Sequence, residues 1–303
     1  MPVKLSVIVR TYDRPALLKR AVTGILQQTH PVDELILVNN GGRPPSPTAW
    51  EDPLQAKKGA LPLITVIDVP EPLPLGAAAN LGLRSATGNW IAFHDDDDRW
   101  PDTYVAETLE ALSSLDPQVA LLAAPVEQVL EEPLGFSEFQ ETFRFRLRPD
   151  LLPGSLPLAP ILSHNLLPPI ALWYRRQALL DLGGYAEDVP VLEDWVANRA
   201  LLLKHPGWLR SGTPVEYRVR TSKSLDDTQP ERRNTVTTRL DQHLQTRQVL
   251  LDRWLRDELH SGKFGPALYA LLLENQAQSM REAFDLTLLQ RVLRKIRRKV
   301  LRT

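Results

Sequence analysis

Four consecutive carboxylates, Asp95 to Asp98, stand directly after the apolar run Trp90-Ile91-Ala92-Phe93, with Trp100 and Pro101 close behind. Neighbouring carboxylates repel by about 1 kcal/mol per close exposed pair. A divalent cation held by oxygen ligands turns that repulsion into attraction. The competing reading is structural, because Asp is favoured before and within the first turn of a helix and Pro at its first position. A cap uses one Asp or two, so a run of this length favours a cation site. Two further polar clusters invite the same question: Thr11-Tyr12-Asp13-Arg14 and Asn39-Asn40-Gly41-Gly42.

The elements around these clusters explain how they could meet. Lys4–Val9, Glu34–Val38 and Leu63–Val69 read as strands, and Trp90–Phe93, a continuous apolar run bounded by Gly and charge, reads as a buried parallel strand. Asp13 is placed to cap a helix that starts near Pro15 and carries Leu17, Leu18, Ala21, Val22, Ile25 and Leu26 on one face. A Pro-rich connection follows the second strand. Gly76–Thr87 reads as a small-residue helix able to pack closely. Strand, helix, strand, connection, strand, helix, strand, with short links, predicts a parallel α/β sheet with right-handed crossovers. Ligands of such sheets bind beyond the carboxyl ends of the strands. Thr11–Arg14, Asn39–Gly42 and Asp95–Asp98 all fall there, so they should line one crevice. A cation, amides, the Tyr12 ring and the Arg14 guanidinium are the parts needed to hold a base and a diphosphate.

Further along, the pattern predicts a helix over Pro101–Leu115 and a strand over Val119–Val129. Glu131–Pro160, rich in Phe, Arg and Pro, reads as an irregular lid or acceptor loop. Ile170–Tyr174 reads as a strand, and Arg175–Leu182 as a helix stopped by Gly183-Gly184. Glu193-Asp194 opens the helix of Val191–His205, and Val215–Val219 is a last strand. Ser222 and Ser224, in the polar stretch after it, are placed to turn or to touch phosphate. Long helical patterns over Leu240–Leu259 and Pro266–Leu301 follow a boundary near Thr228–Arg233.

The chain has 303 residues, a formal charge of −1 and no cysteine. That length holds one large α/β domain with a helical appendage. The near-neutral charge offers no electrostatic case for nucleic acid. Disulfides and cysteine-bound zinc are excluded, which agrees with a reducing compartment. No signal-like segment and no run of about 18 apolar residues is found.

Taken together, SVIVRTYDRP, ELILVNNGG, GAAANLGLRSATGNWIAFHDDDDRWPD and the later GGY and VLEDW resemble the family 2 glycosyltransferases. The resemblance covers roughly residues 3–220. It implies the GT-A fold, a Rossmann-like, mostly parallel central sheet flanked by helices, here with a helical C-terminal extension. It also implies a metal-dependent transfer of a sugar from a nucleotide-diphosphate donor to a hydroxyl acceptor, with inversion at the anomeric carbon. Asp95-Asp96-Asp97 matches the family's DXD motif. Asp97 would be the direct ligand of Mg²⁺ or Mn²⁺, Asp95 its direct or water-mediated support, and Asp96 a neighbour of the ribose or of the metal's waters. Asp98 would face the helix that follows. Asp194 matches the catalytic base, with Glu193 as the adjacent alternative; the structural reading of the pair is a favourable charge at a helix N-terminus.

Thr11, Tyr12 and Arg14 match the first nucleotide-binding segment. Asn40 matches a position that is usually Asp and keeps a carbonyl acceptor for a base N–H. Arg10 stands where the family most often has Pro, and Asn80 where many relatives carry Arg. The phosphate clamp is therefore left open among Arg14, Arg84, Arg218 and Arg220. The expected domains are 1–228, with a nucleotide half over about 1–115 and an acceptor half over about 116–228, and a helical extension over 229–303. The acceptor, a glycan, a lipid-linked sugar or a small molecule, would bind between Glu131–Pro160 and the Asp194 helix. Trp173, Tyr174, Trp195 and Trp208 are candidates to stack on it, against a reading of each as core.

Sugar nucleotides made in the cytoplasm place the expected activity there, in cell-surface or exopolysaccharide glycan synthesis. Arg291–Thr303 carries seven basic residues and no acid, with Leu289, Leu293, Ile296 and Val300 at helical spacing. Such a segment fits an anionic membrane surface, a dimer partner or the body of its own chain. Two other functions compete with glycosyl transfer. Nucleotidyl transfer calls for a Gly-rich loop after the first strand, and RTYDRP has no glycine. A sugar-nucleotide binder without turnover is suggested by Asn40, but has no use for Asp194 as a base.

Overall fold

The computed structural model describes residues 2–56, 60–134, 138–220, 240–262 and 265–266. The elements in order are β1 (Leu5–Thr11), α1 (Pro15–Leu26), β2 (Glu34–Asn40), α2 (Thr48–Ala56), β3 (Leu63–Val69), α3 (Leu75–Ser85), β4 (Trp90–Asp95) and α4 (Tyr104–Ser113). They continue with β5 (Leu121–Ala123), β6 (Val126–Pro133), β7 (Phe139–Leu147), β8 (Gly154–Ser155), α5 (Leu158–Ser163), β9 (Leu172–Arg175), α6 (Arg176–Leu180) and α7 (Glu193–Leu202). β10 (Gly207–Leu209), β11 (Val215–Arg220) and α8 (Leu240–His260) complete them. By contact density the chain divides into two compact units, residues 1–156 with 165–247, and 157–164 with 248–303.

The larger unit holds both sheets. An eight-stranded sheet runs β3-β2-β1-β4-β9-β5-β10-β8. β1, β2, β3 and β4 are mutually parallel, as expected, and β9 is antiparallel to both β4 and β5. A three-stranded sheet, β11-β6-β7, stands beside it. β1 and β2 are buried along almost their whole length, which is why their residues read as continuous apolar runs. α1 buries the six apolar residues its period selects. α3 lies close over β1: a Cβ on Gly82 would come within 2.4 Å of Ile8 Cγ2, and one on Gly76 within 2.0 Å of the Ala186 carbonyl. Those contacts explain the small residues of GAAANLG.

Four expectations need correction. Asp13 does not cap α1; the N-cap is Arg14 with no side-chain cap bond, and Asp13 instead accepts from Arg43 Nε at 3.0 Å. The Pro-rich connection after β2 contains α2, whose Ala49 belongs to the core while Trp50 and Leu54 pack against it. The strand expected over Val119–Val129 is two strands in different sheets. It breaks at Pro125, which has no N–H for a ladder and whose carbonyl accepts from Val215. Nor is Glu131–Pro160 irregular throughout, because FQETFRFRL alternates with period two and pairs antiparallel with β6.

The smaller unit contains α5, which buries Ile161 and Leu162, and most of α8. The boundary near Thr228–Arg233, Ser222, Ser224, the helix expected over 266–301 and the basic segment 291–303 lie outside the described residues. Among the described residues no helix is long and apolar enough to cross a membrane.

Candidate active site

β1, β2 and β4 end side by side, and the three polar clusters meet at a cavity of about 480 Å³. Arg10, Thr11, Tyr12 and Arg14 line it from the β1 end, Asn40 from β2, and Asp95 to Asp98 from β4. Tyr217 of β11 and Pro72 to Leu75, ahead of α3, close the remaining sides.

Nearly every acid here has a cation or amide opposite it. Arg10 Nε and Nη2 donate to Asp95 Oδ1 and Oδ2 at 3.0 and 3.1 Å, and Arg10 Nη1 donates to Glu193 Oε1 at 2.9 Å. Asp96 is buried; Thr11 Oγ1 donates to its Oδ2 at 2.7 Å and Arg14 Nη1 to its Oδ1 at 3.0 Å. Burial raises its pKa to about 6, with Arg14 opposing. Asp97 Oδ2 accepts from Arg220 Nη2 at 2.5 Å and from Arg14 Nη1 at 3.3 Å. Burial works against ionisation there too, but Arg220 and Arg14 outweigh it and hold Asp97 at a pKa of about 2. Asp98 faces β11 rather than the following helix, since its Oδ1 accepts from the Arg218 backbone N–H at 2.8 Å. α4 begins after Thr103 with no side-chain cap, so none of the four Asp residues caps it.

Asp194 lies at the start of α7, buried and outside the cavity lining. Burial, then repulsion from Glu193, raises its pKa to about 7, while the Asn165 amide, donating to Oδ2 at 2.8 Å, favours the ionised form. The two acids of the pair are thus divided: Glu193 is tied to Arg10, and Asp194 to an amide that leaves it proton-accepting. Leu192, just before them, holds φ 68°, a costly angle for a branched side chain that the surrounding packing must impose.

The model of glycosyl transferase family 2 matches residues 6–159, half of the chain and all three polar clusters. The chain belongs to glycosyl transferase family 2. An uncharacterized glycosyltransferase of Nostoc sp. is 28% identical over 124 residues, 37% of this chain and 34% of that protein. The chain therefore spans about a third of the length of that curated relative. In fold it is similar to Staphylococcus aureus TarS 1–349, with a TM-score of 0.56, 16% identity, and coverage of 71% of this chain and 60% of that one. The same TarS fragment is known in complex with UDP-GlcNAc. The mannosyltransferase PcManGT of Pyrobaculum calidifontis, solved with GDP-Man and Mn²⁺, matches with a TM-score of 0.54 and 17% identity over 92% of this chain and 81% of its own. The fold is GT-A.

Against the family 2 pattern, the departures acquire structural reasons. Asn40 forms a two-bond bridge with Leu73, its Nδ2 donating to the carbonyl and its Oδ1 accepting from the N–H, both at 2.9 Å. Only the second lone pair of that oxygen is left for a base N–H. Asn80 is in no position to clamp phosphate: it ties α3 to the Tyr185 backbone and to Glu187. Of the clamp candidates, Arg14 alone lines the cavity. Arg84 is exposed on α3, Arg218 pairs with Glu131 and Glu216, and Arg220 is sealed against Asp97. Trp173, Tyr174 and Trp195 are core, and only Trp208 of the four aromatic candidates is exposed.

Arg10, Asn165 and the pairing of Arg220 with Asp97 were not assigned from sequence. Arg10 was visible as a departure from the family, whereas nothing around Asn165 marks it.

A divalent metal fits this set in a restricted way. Both ion pairs of Asp97 fall on Oδ2, leaving Oδ1 outside them, and its side chain is 14% exposed to the cavity. Asp95 is more exposed, at 33%, but Arg10 occupies both of its oxygens. Among the described residues no group of three or more acids, histidines or cysteines is arranged around a metal. The donor set therefore suits a hydrated ion that takes one or two carboxylates and completes its shell with phosphate oxygens and water.

Proposed function

We propose that the protein is a metal-dependent inverting glycosyltransferase that moves a sugar from a nucleoside-diphosphate donor to a hydroxyl acceptor. The observation that carries this reading is the division of labour between carboxylates. Asp97 stays charged at the donor cavity, while Asp194 has a pKa of about 7 and an amide partner. Pairs of acids pushed apart in this way mark charge-holding and proton-moving roles.

In the reaction, the acceptor oxygen attacks the anomeric carbon as its proton passes to Asp194, and the bond from that carbon to the diphosphate breaks. A single displacement inverts the centre. Asp97, with support from Asp95, would hold Mg²⁺ or Mn²⁺, which when bound supplies an electrophile for the developing phosphate charge. Arg14 adds a guanidinium on the same side. Thr11 and Asp96 brace that end of β1, and Tyr12, 43% exposed, offers its ring to the base. Asn40 borders the base and holds the Leu73 turn. A glycine-free β1–α1 turn argues against nucleotidyl transfer. The occupation of the Asn40 amide by Leu73 gives that residue a structural purpose, which weakens the case for a binder without turnover. A cytoplasmic role in surface or exopolysaccharide glycan synthesis suits such a donor.

The test is calorimetric titration with UDP, GDP, dTDP and CDP, with and without Mn²⁺, on the wild type and Asp97→Ala. One nucleotide should bind only with metal, and the variant should lose it. Failure of every nucleotide to bind with metal, or equal binding by Asp97→Ala, would overturn the reading.

A further inference from the structure

The small sheet carries a surface that the donor reaction does not use. Strand register places Tyr217 of β11 opposite Gln128 of β6, and Gln128 opposite Phe145 of β7. The next row is Val219, Leu130 and Phe143. Residues directly opposite one another share a face, so Tyr217, Gln128, Leu130, Phe143 and Phe145 lie on one side. The other side is the charged one: Arg144 there pairs with Glu127 and Glu216.

Exposure grows outward along the uncharged face. Tyr217 and Gln128 are half-buried, Phe145 is 38% exposed and Phe143 59%. The two Phe rings sit 5.8 Å apart, tilted by 35°, on the strand at the sheet's edge. Large exposed rings side by side on an edge strand are a liability unless something uses them.

The inner end of this face meets the reacting centre. Tyr217 lines the donor cavity beside Asp95 to Asp98. Leu166 and Leu167, next to the Asn165 that holds Asp194, close a small cavity against Val126 and Leu147 of the same two strands. The face that begins with Tyr217 at the cavity therefore leads outward as a ledge over Gln128 to Phe145 and Phe143. From Tyr217 to Phe145 the ledge spans two strand spacings, about 10 Å.

We propose that the face formed by Tyr217, Gln128, Phe145 and Phe143 is a binding platform for an oligosaccharide acceptor, with rings stacking on sugar units beyond the one that reacts. The proposal rests on the glycosyltransferase reading and narrows it, since a monosaccharide-sized acceptor would not reach the outer rings. The chemistry is matched: the negative face of an aromatic ring attracts the slightly positive C–H groups of a pyranose, and the Gln128 amide can both donate to and accept from hydroxyls. The face carries no charge on the named residues, which disfavours an acidic or basic peptide as its occupant.

The experiment measures binding of gluco-, manno- and chito-oligosaccharides of one to six units by saturation-transfer NMR. It compares wild type with Phe143→Ala/Phe145→Ala and with Phe145→Trp. In at least one series, affinity should rise about tenfold or more with chain length. The double variant should lose that rise while keeping its affinity for nucleotide with Mn²⁺, and Phe145→Trp should retain it. Affinity independent of length, no binding in any series, or an unchanged double variant would overturn the platform. So would a wild-type dimer that the double variant converts to monomer, which would make the ledge a self-association face. Loss of nucleotide binding by the wild type would instead strike the glycosyltransferase reading itself.

Discussion

The carboxyl edge of the main sheet and the outer face of the small sheet are built on opposite principles. At the first, Asp95, Asp96, Asp97 and Glu193 are each answered by a guanidinium, and Asp194 by an amide. At the second, a half-buried ring and amide lead out to two Phe rings open to solvent. Charge withdrawn from water costs several kcal/mol per ion unless it is paired and hydrogen-bonded, so a site for a diphosphate and a metal must be assembled before its ligand arrives. Stacking on a sugar carries no comparable desolvation cost, and its platform can stay exposed. On the reading proposed above, the crowded edge carries the chemistry and the open face extends its reach.

The sharpest way to break the comparison is to remove proton acceptance from the crowded edge. Asp194→Asn should lower kcat by about two to four orders of magnitude with nucleotide binding unchanged, read by steady-state kinetics beside calorimetry. A comparable loss in Glu193→Gln with Asp194 intact and the pH profile unmoved would transfer the role. Next in size is the asymmetry of the metal side. Asp97→Asn should weaken Mn²⁺-dependent nucleotide affinity by about a hundredfold, since it removes a cavity-lining carboxylate whose Oδ1 lies outside the ion pairs. Asp95→Asn should change it less than threefold, because Arg10 already occupies both of that residue's oxygens. Equal losses would mean that Arg10 releases Asp95 to the metal.

Smaller effects sharpen the picture. Burial raises the Asp194 pKa to about 7, so kcat/KM should rise with pH through that value as the base ionises. Asn165→Ala removes the bond that favours the ionised form, so the rising limb should move to higher pH. A limb shifted downward would mean that the amide does not stabilise the charge. Smallest of all, Phe143→Ala should change stability by less than about 0.5 kcal/mol in urea unfolding, as expected of a ring that packs on little.

Much of the first 115 residues was legible because their signals are local. Buried parallel strands write themselves as apolar runs, as β1 and β2 do, and even the exposed edge strand β3 has the bounds its residues predict. The close packing of α3 was readable from its small side chains. The stretch that follows was harder for two reasons. β7 alternates Phe with Arg, a true strand period hidden under charge and preceded by residues outside the described set. β5 and β6 form one apolar stretch that only Pro125 divides between sheets.

The sequence by itself determined the family, the order of the parallel strands and the convergence of three polar clusters. All follow from short-range pattern and from the rule that parallel strands deliver their carboxyl ends to one edge. How firmly each acid holds its proton was decided only by tertiary structure. Arg10 is separated from Glu193 by 183 positions, Arg220 from Asp97 by 123 and Asn165 from Asp194 by 29. A carboxylate's proton affinity depends on the partners and burial that the folded chain places around it, and no spacing within the sequence records them.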